Sequence, residues 1–130
     1  MRLFDTHAHY DDEAFDADRD EVLSTFDGLV IDPGCTLASS QAAIDLAARH
    51  PNVYAAVGIH PENCGDFLPE HINVLRRLAR QPKVVAIGEI GLDYYWAENP
   101  PREFQQQVFR AQLELALELE IKLLQKESSH

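Results

Sequence analysis

The chain has 130 residues, 45% of them apolar and 25% charged, with a net charge of −11 at pH 7. That is one domain's worth of chain or less, long enough to bury a core. Its excess of acid disfavours non-specific attachment to nucleic acid or anionic membranes, which rests on Lys and Arg.

Met1 to Phe4 opens a short apolar strand, and Asp5, His7 and His9 follow on one face by the two-residue alternation of strands. Two imidazoles at a strand's end can both reach one cation at roughly 2.0–2.2 Å. Asp16 or Asp18 caps a short helix to about Thr25, with Phe15 docking onto the core, and Gly28 breaks it. Leu29-Val30-Ile31 reads as a second strand, ended by the turn Asp32-Pro33-Gly34. Ser39 or Ser40 opens a helix whose apolar stripe is Ala43, Ile44, Leu46, Ala47 and Ala48, and His50-Pro51 stops it.

Val53 to Ile59 is a third strand, closing on Gly58-Ile59-His60-Pro61. Leu68-Pro69 begins the next helix, with Ile72, Leu75, Leu78 and Ala79 facing inward and Gln81-Pro82 at its end. Val84 to Ile87 is the fourth strand and runs into Gly88-Glu89-Ile90-Gly91-Leu92-Asp93. A polar loop with Pro100-Pro101 leads to a long helix from about Arg102 to Glu120, one side of which carries Phe104, Val108, Ala111, Leu115 and Leu119. No apolar run approaches the roughly 20 residues of a membrane span. The acidic stretch soon after Met1 does not read as a signal peptide, so no membrane partner and a cytoplasmic location are expected. Cys35 and Cys64, widely spaced and outside any CxxC, are expected to be reduced thiols.

Strands this continuously apolar are buried on both faces, which implies a parallel sheet covered by helices. An open three-layer sheet and a closed barrel both fit the alternation. The polar residues decide the matter, because they collect at strand ends: Asp5, His7 and His9, then Asp32, then His60, then Glu89 with Asp93 close behind. In parallel folds those ends share one side, which in barrels holds the active site. Two histidines and a carboxylate suit Zn²⁺, Mn²⁺ or Fe²⁺, while Mg²⁺ prefers oxygen. Plainer roles compete: Asp32 forms a turn, His60 caps the helix after it, and Asp93 orders its loop.

In these motifs the sequence resembles the TatD family of metal-dependent deoxyribonucleases. Phe4-Asp5-Thr6-His7-Ala8-His9-Tyr10-Asp11 with Phe15, Asp32-Pro33-Gly34, Gly58-Ile59-His60-Pro61 and Gly88-Glu89-Ile90-Gly91-Leu92-Asp93-Tyr94-Tyr95 match its landmarks in order, and Gln106, Phe109, Gln112 and Leu113 resemble a family helix. The resemblance implies a TIM-type α/β barrel that hydrolyses phosphodiester bonds in DNA with divalent cations (Zn, Mg or Mn). His7, His9 and Glu89 would be metal ligands and Glu89 the catalytic carboxylate, with His60 and Asp93 toward the substrate. Glu62 stands where the family commonly has a second histidine.

About four βα units are present, half of a typical barrel of roughly 250 residues. Residues 1–120 read as the N-terminal half of such a hydrolase, and 121–130 as a divergent tail in which Lys126 stands where a further histidine is expected and His130 is out of register. A half barrel with three ligands is expected to be weakly active or inactive alone, and its open strand edges invite self-association. Another metal hydrolase on the same scaffold, acting on amides or lactones, and a non-catalytic interaction module are the competing readings.

Overall fold

A computed structural model describes residues 3–5 and 28–125. The expected helix over 16–25, Phe15, His7, His9, Lys126 and His130 lie outside the described residues. Five strands are seen: β1 (Leu3–Asp5), β2 (Gly28–Pro33), β3 (Val53–Val57), β4 (Val84–Ile90) and β5 (Lys122–Gln125). They form one sheet in the order β1-β2-β3-β4-β5, and every neighbouring pair is parallel. Parallel neighbours need crossovers, and the helices supply them: α1 (Leu37–Arg49) joins β2 to β3, α2 (His71–Ala79) β3 to β4, and α3 (Arg102–Leu119) β4 to β5.

The expected α/β alternation is therefore what folds, with one strand more than the four expected. β5 lies in the stretch read as a divergent tail. It pairs Ile87 with Leu123 and Gly88 with Leu124, and Leu123 packs against the core. Gly88 makes the approach possible, since a Cβ there would stand 2.5 Å from the Leu124 Cβ.

Alternation sorts each strand into two faces. Val30, Val53, Ala55, Val57 and Ile87 form the core with Ala43, Leu46 and Ala47 of α1, Leu75 of α2 and Val108 and Leu115 of α3. Burying a Leu side chain as fully as Leu46 or Leu115, each 1% exposed, contributes about 1.5–3 kcal/mol. The alternate residues Leu29, Ile31, Tyr54 and Leu124 border a hollow of about 660 Å³ on the other face.

Helix ends differ from expectation for local reasons. α1 begins earlier than Ser39 because Thr36 is the cap. Thr36 Oγ1 accepts the Ser39 N–H at 3.0 Å and Ser39 Oγ accepts the Thr36 N–H at 2.9 Å, a reciprocal capping box. Ser39 is thus the third helical residue rather than the first. The helix buries Ala43, Ile44, Leu46 and Ala47 as expected, with Ser40 completing the stripe and Ala48 left exposed. α2 starts at His71, after turns in which His71 N–H donates to the Leu68 carbonyl and Leu68 N–H to His71 Nδ1. β2 runs through Asp32 and Pro33, which pair with Ala55 and Ala56, so the turn falls after Pro33. No helix of the described residues is long and apolar enough to cross a membrane, and Cys35 and Cys64 are thiols. Burial pushes the Cys64 thiol's pKa up.

Candidate metal and phosphate site

With all strands parallel, their C-terminal ends form one edge, where Asp5, Asp32 and Glu89 fall and where β3 delivers His60. Glu89 belongs to β4 itself rather than to a loop after it. Asp32 is 0% exposed, and Glu89 and His60 are each 9% exposed. His60 Nε2 and Glu89 Oε1 stand 3.8 Å apart.

Backbone contacts fix this approach. After β2 the chain crosses the end of β3, so that the Gly34 carbonyl accepts the Glu89 N–H and the Cys35 carbonyl accepts the His60 N–H, each at 2.9 Å. Consecutive carbonyls thereby hold both residues. Gly34 sits directly over Ser40, whose Cβ would lie 2.9 Å from any Cβ at 34, so a side chain there would push the loop away. Ser40 Oγ in turn accepts the Gly58 N–H at 3.1 Å and donates to its carbonyl at 3.3 Å.

The plainer roles of His60 and Asp93 are present in the geometry. His60 caps the 3₁₀ turn Pro61–Asp66, its Nδ1 accepting the Glu62 N–H at 3.2 Å. In neutral His60 the ring proton is then on Nε2, the atom facing Glu89. A cation on Nε2 would move that proton to Nδ1 and break the cap, so this arrangement favours His60 as a donor rather than a ligand. Asp93 is 5% exposed, and its Oδ1 accepts the Tyr95 N–H at 3.1 Å, ordering the loop.

Two residues escaped the sequence reading or were seen there only as part of a resemblance. Gln105 and Gln112 of α3 are each 1% exposed and share its inner face with Val108 and Leu115. Gln112 Oε1 accepts the Ile59 N–H at 2.7 Å and its Nε2 donates to the Ile59 carbonyl at 3.1 Å. Gln105 does the same for Asp93, accepting its N–H at 2.8 Å and donating to its carbonyl at 2.9 Å. One helix thereby holds the loops after β3 and after β4. The available signal was a glutamine seven residues from another on an otherwise apolar stripe.

No group of three or more His, Cys, Asp or Glu side chains that could hold a metal forms among the described residues. A buried carboxylate and an imidazole meet at the rim, and any further ligand would come from outside those residues, where His7 and His9 fall.

The family model for TatD-related DNases matches residues 4–124. This chain belongs to that family. It is 35% identical over 126 residues to an uncharacterized metal-dependent hydrolase, YabD, of Bacillus subtilis, covering 94% of this chain and 49% of the relative. It is 36% identical over 124 residues to the 3′-5′ ssDNA/RNA exonuclease TatD of Salmonella typhimurium, covering 92% and 47% respectively. The crystal structure of the TatD homologue YJJV from Escherichia coli superposes with a TM-score of 0.84 at 31% identity, over 94% of this chain and 49% of that one. An amidohydrolase from Saccharomyces cerevisiae shares the fold, with a TM-score of 0.74 at 21% identity, over 89% and 44%. The chain thus spans about half the length of the TatD-family relatives it matches.

Proposed function

We propose that this chain supplies the Glu89 half of a divalent-metal phosphodiesterase site that acts on nucleic acid. The observation that carries the reading is the buried His60–Glu89 pair, 3.8 Å apart at the edge where the parallel strands end. The donor set is of the right kind for a borderline cation: Glu89 would hold it together with His7 and His9, which follow the first strand in the sequence. When bound, such a cation lowers the pKa of a water and takes up charge on phosphoryl oxygens. The remaining work belongs to the chain. His60 Nε2–H is aimed at the rim and can donate to a phosphate oxygen, with its ring orientation set by the Glu62 amide. Asp93 contributes through the loop it orders.

The relatives' names support a nucleic-acid substrate, since the Salmonella protein is called an exonuclease on single-stranded DNA and RNA. A cation at the rim would also offset locally a chain that carries −11 overall. Three ligands fall short of a two-ion centre, so cleavage by the 130-residue chain is expected to be slow. Calorimetric titration with Mn²⁺, alongside cleavage of 5′-labelled single-stranded DNA, tests the reading. Mn²⁺ binding and any cleavage should be lost in Glu89→Ala and kept in Glu98→Ala. Mn²⁺ affinity indifferent to Glu89→Ala would overturn the proposal.

A further inference from the structure

The loop after β4 presents aromatic rings to solvent at the rim where Glu89 stands. Tyr94, Tyr95 and Trp96 are 38%, 61% and 45% exposed. A rigid base carries them. Gln105 holds the Asp93 amide and carbonyl and also donates to the Pro100 carbonyl at 2.7 Å. The Trp96 carbonyl accepts the Asn99 N–H at 3.2 Å. The rings are also placed relative to one another. Tyr95 and Trp96 meet edge to face, with centroids 4.7 Å apart and planes at 87°. The Tyr94 ring lies under the Arg102 guanidinium, 4.6 Å from its centroid, and Gln106 Nε2 donates to Tyr94 Oη at 3.0 Å. Trp96, Tyr94 and Arg102 border a shallow recess of about 180 Å³, below the roughly 300 Å³ at which ligand pockets usually begin.

We propose that Tyr95 and Trp96, on the loop braced by Gln105 beside the Glu89 rim, form a platform on which bases of a single strand stack. The proposal rests on the phosphodiesterase reading above and names how its substrate is held. Stacking suits this chain because it needs no excess of positive charge, and the same loop carries Glu98 and leads to Glu103. Every base offers a π-face, so such a platform is tolerant of sequence. Rings already ordered by Gln105 and Asp93 lose little freedom on binding. Arg102 adds one cation at the platform's edge, so the salt dependence of binding should be shallow.

Trp96 is the chain's only tryptophan, so its fluorescence reports on the platform directly. The full chain is titrated without metal with an eight-nucleotide oligothymidylate and with an abasic strand of equal length and charge. Expected is quenching of Trp96 by the base-bearing strand and none by the abasic one. Affinity measured by anisotropy of a labelled strand should fall roughly tenfold in Tyr95→Ala and be retained in Tyr95→Phe. Equal binding of the two strands, no binding of either, an affinity unmoved by Tyr95→Ala, or a steep loss of affinity with salt would each overturn it. So would a Trp96 emission shift that follows protein concentration alone, which would show the rings covered by a second copy of the chain. Base-dependent quenching that persists in Glu89→Ala, in a chain that neither binds Mn²⁺ nor cleaves DNA, would sustain the platform and sink only the phosphodiesterase reading.

Discussion

Gln112 spends both ends of its amide on the backbone of one residue, Ile59, whose next neighbour is His60. That carboxamide replaces the ladder partner the strand has lost by this point, since β3 ends at Val57. Removing it strands a buried N–H and a buried carbonyl, each costing about 1–3 kcal/mol when unpaired. Gln112→Leu should therefore lower stability by about 2–4 kcal/mol, seen as a fall in the urea midpoint at constant slope. Gln106→Ala, at an exposed position whose amide donates to Tyr94 Oη and, among the described residues, to no buried backbone group, should stay within about 0.5 kcal/mol. The two glutamines were hard to read in the sequence because an amide on an apolar stripe looks like the edge of a solvent face. Their value lies in loops that come 53 and 12 residues from them in the chain. His60, Glu89 and Asp93 stand out in the sequence because each is a polar residue at or within a few residues of the end of an apolar run. His60's orientation was not, because it depends on the Glu62 amide.

Two residues at element ends adopt left-handed backbone for different reasons. Glu120 follows α3 with φ 54°, and its N–H donates to the Leu117 carbonyl and the next amide to the Ala116 carbonyl. Glycine takes that conformation without the Cβ penalty, so Glu120→Gly should raise stability by about 0.5–1 kcal/mol. Lys83 has φ 69°, yet its Nζ donates to the Ala47 and His50 carbonyls at the end of α1, each at 2.5 Å, and lies 5.1 Å from the Tyr54 centroid. Lys83→Gly should relieve the backbone and still lose about 1–2 kcal/mol, through the two charge-assisted bonds. Thermal melts of the two variants should move in opposite directions.

Between elements, Arg76 of α2 grips Glu118 of α3 through Nε at 2.6 Å and a second nitrogen at 3.0 Å. The hydrogen bond from Arg76 holds the Glu118 carboxyl below its ordinary range. A carboxylate depressed in the folded state stabilises above its unfolded pKa and loses that contribution as pH falls through the folded one. Arg76→Gln should accordingly narrow the difference in stability between pH 7 and pH 3, by a small amount because the pair is exposed. The element pattern itself was legible, because apolar runs and helical stripes alternate clearly. β5 was not, because only Leu123 and Leu124 are apolar between Lys122 and Gln125, and pairing with β4 decides the matter.

At the scale of the molecule, the metal proposal is a statement about curvature. β1 and β4 are separated by β2 and β3, and neighbouring strands lie about 4.8 Å apart, so on a flat sheet their ends would be roughly 14 Å from each other. His7 and His9 share a cation with Glu89 only if the sheet curls far enough to bring the first strand's end toward the fourth's. Superposition on the Escherichia coli relative with a TM-score of 0.84 supports that curl, since barrels arise from such sheets. Histidine ring signals in a Mn²⁺ titration provide the test, because a paramagnetic ion broadens only nearby nuclei. At low occupancy His7, His9 and His60 should broaden together. His50, which precedes β3 at the opposite edge of the sheet, lies a strand's length of about 17 Å away and should stay sharp. Broadening of His60 alone would leave Glu89 with an ion that the first strand does not share, and the common-cation geometry would fail while the fold stood.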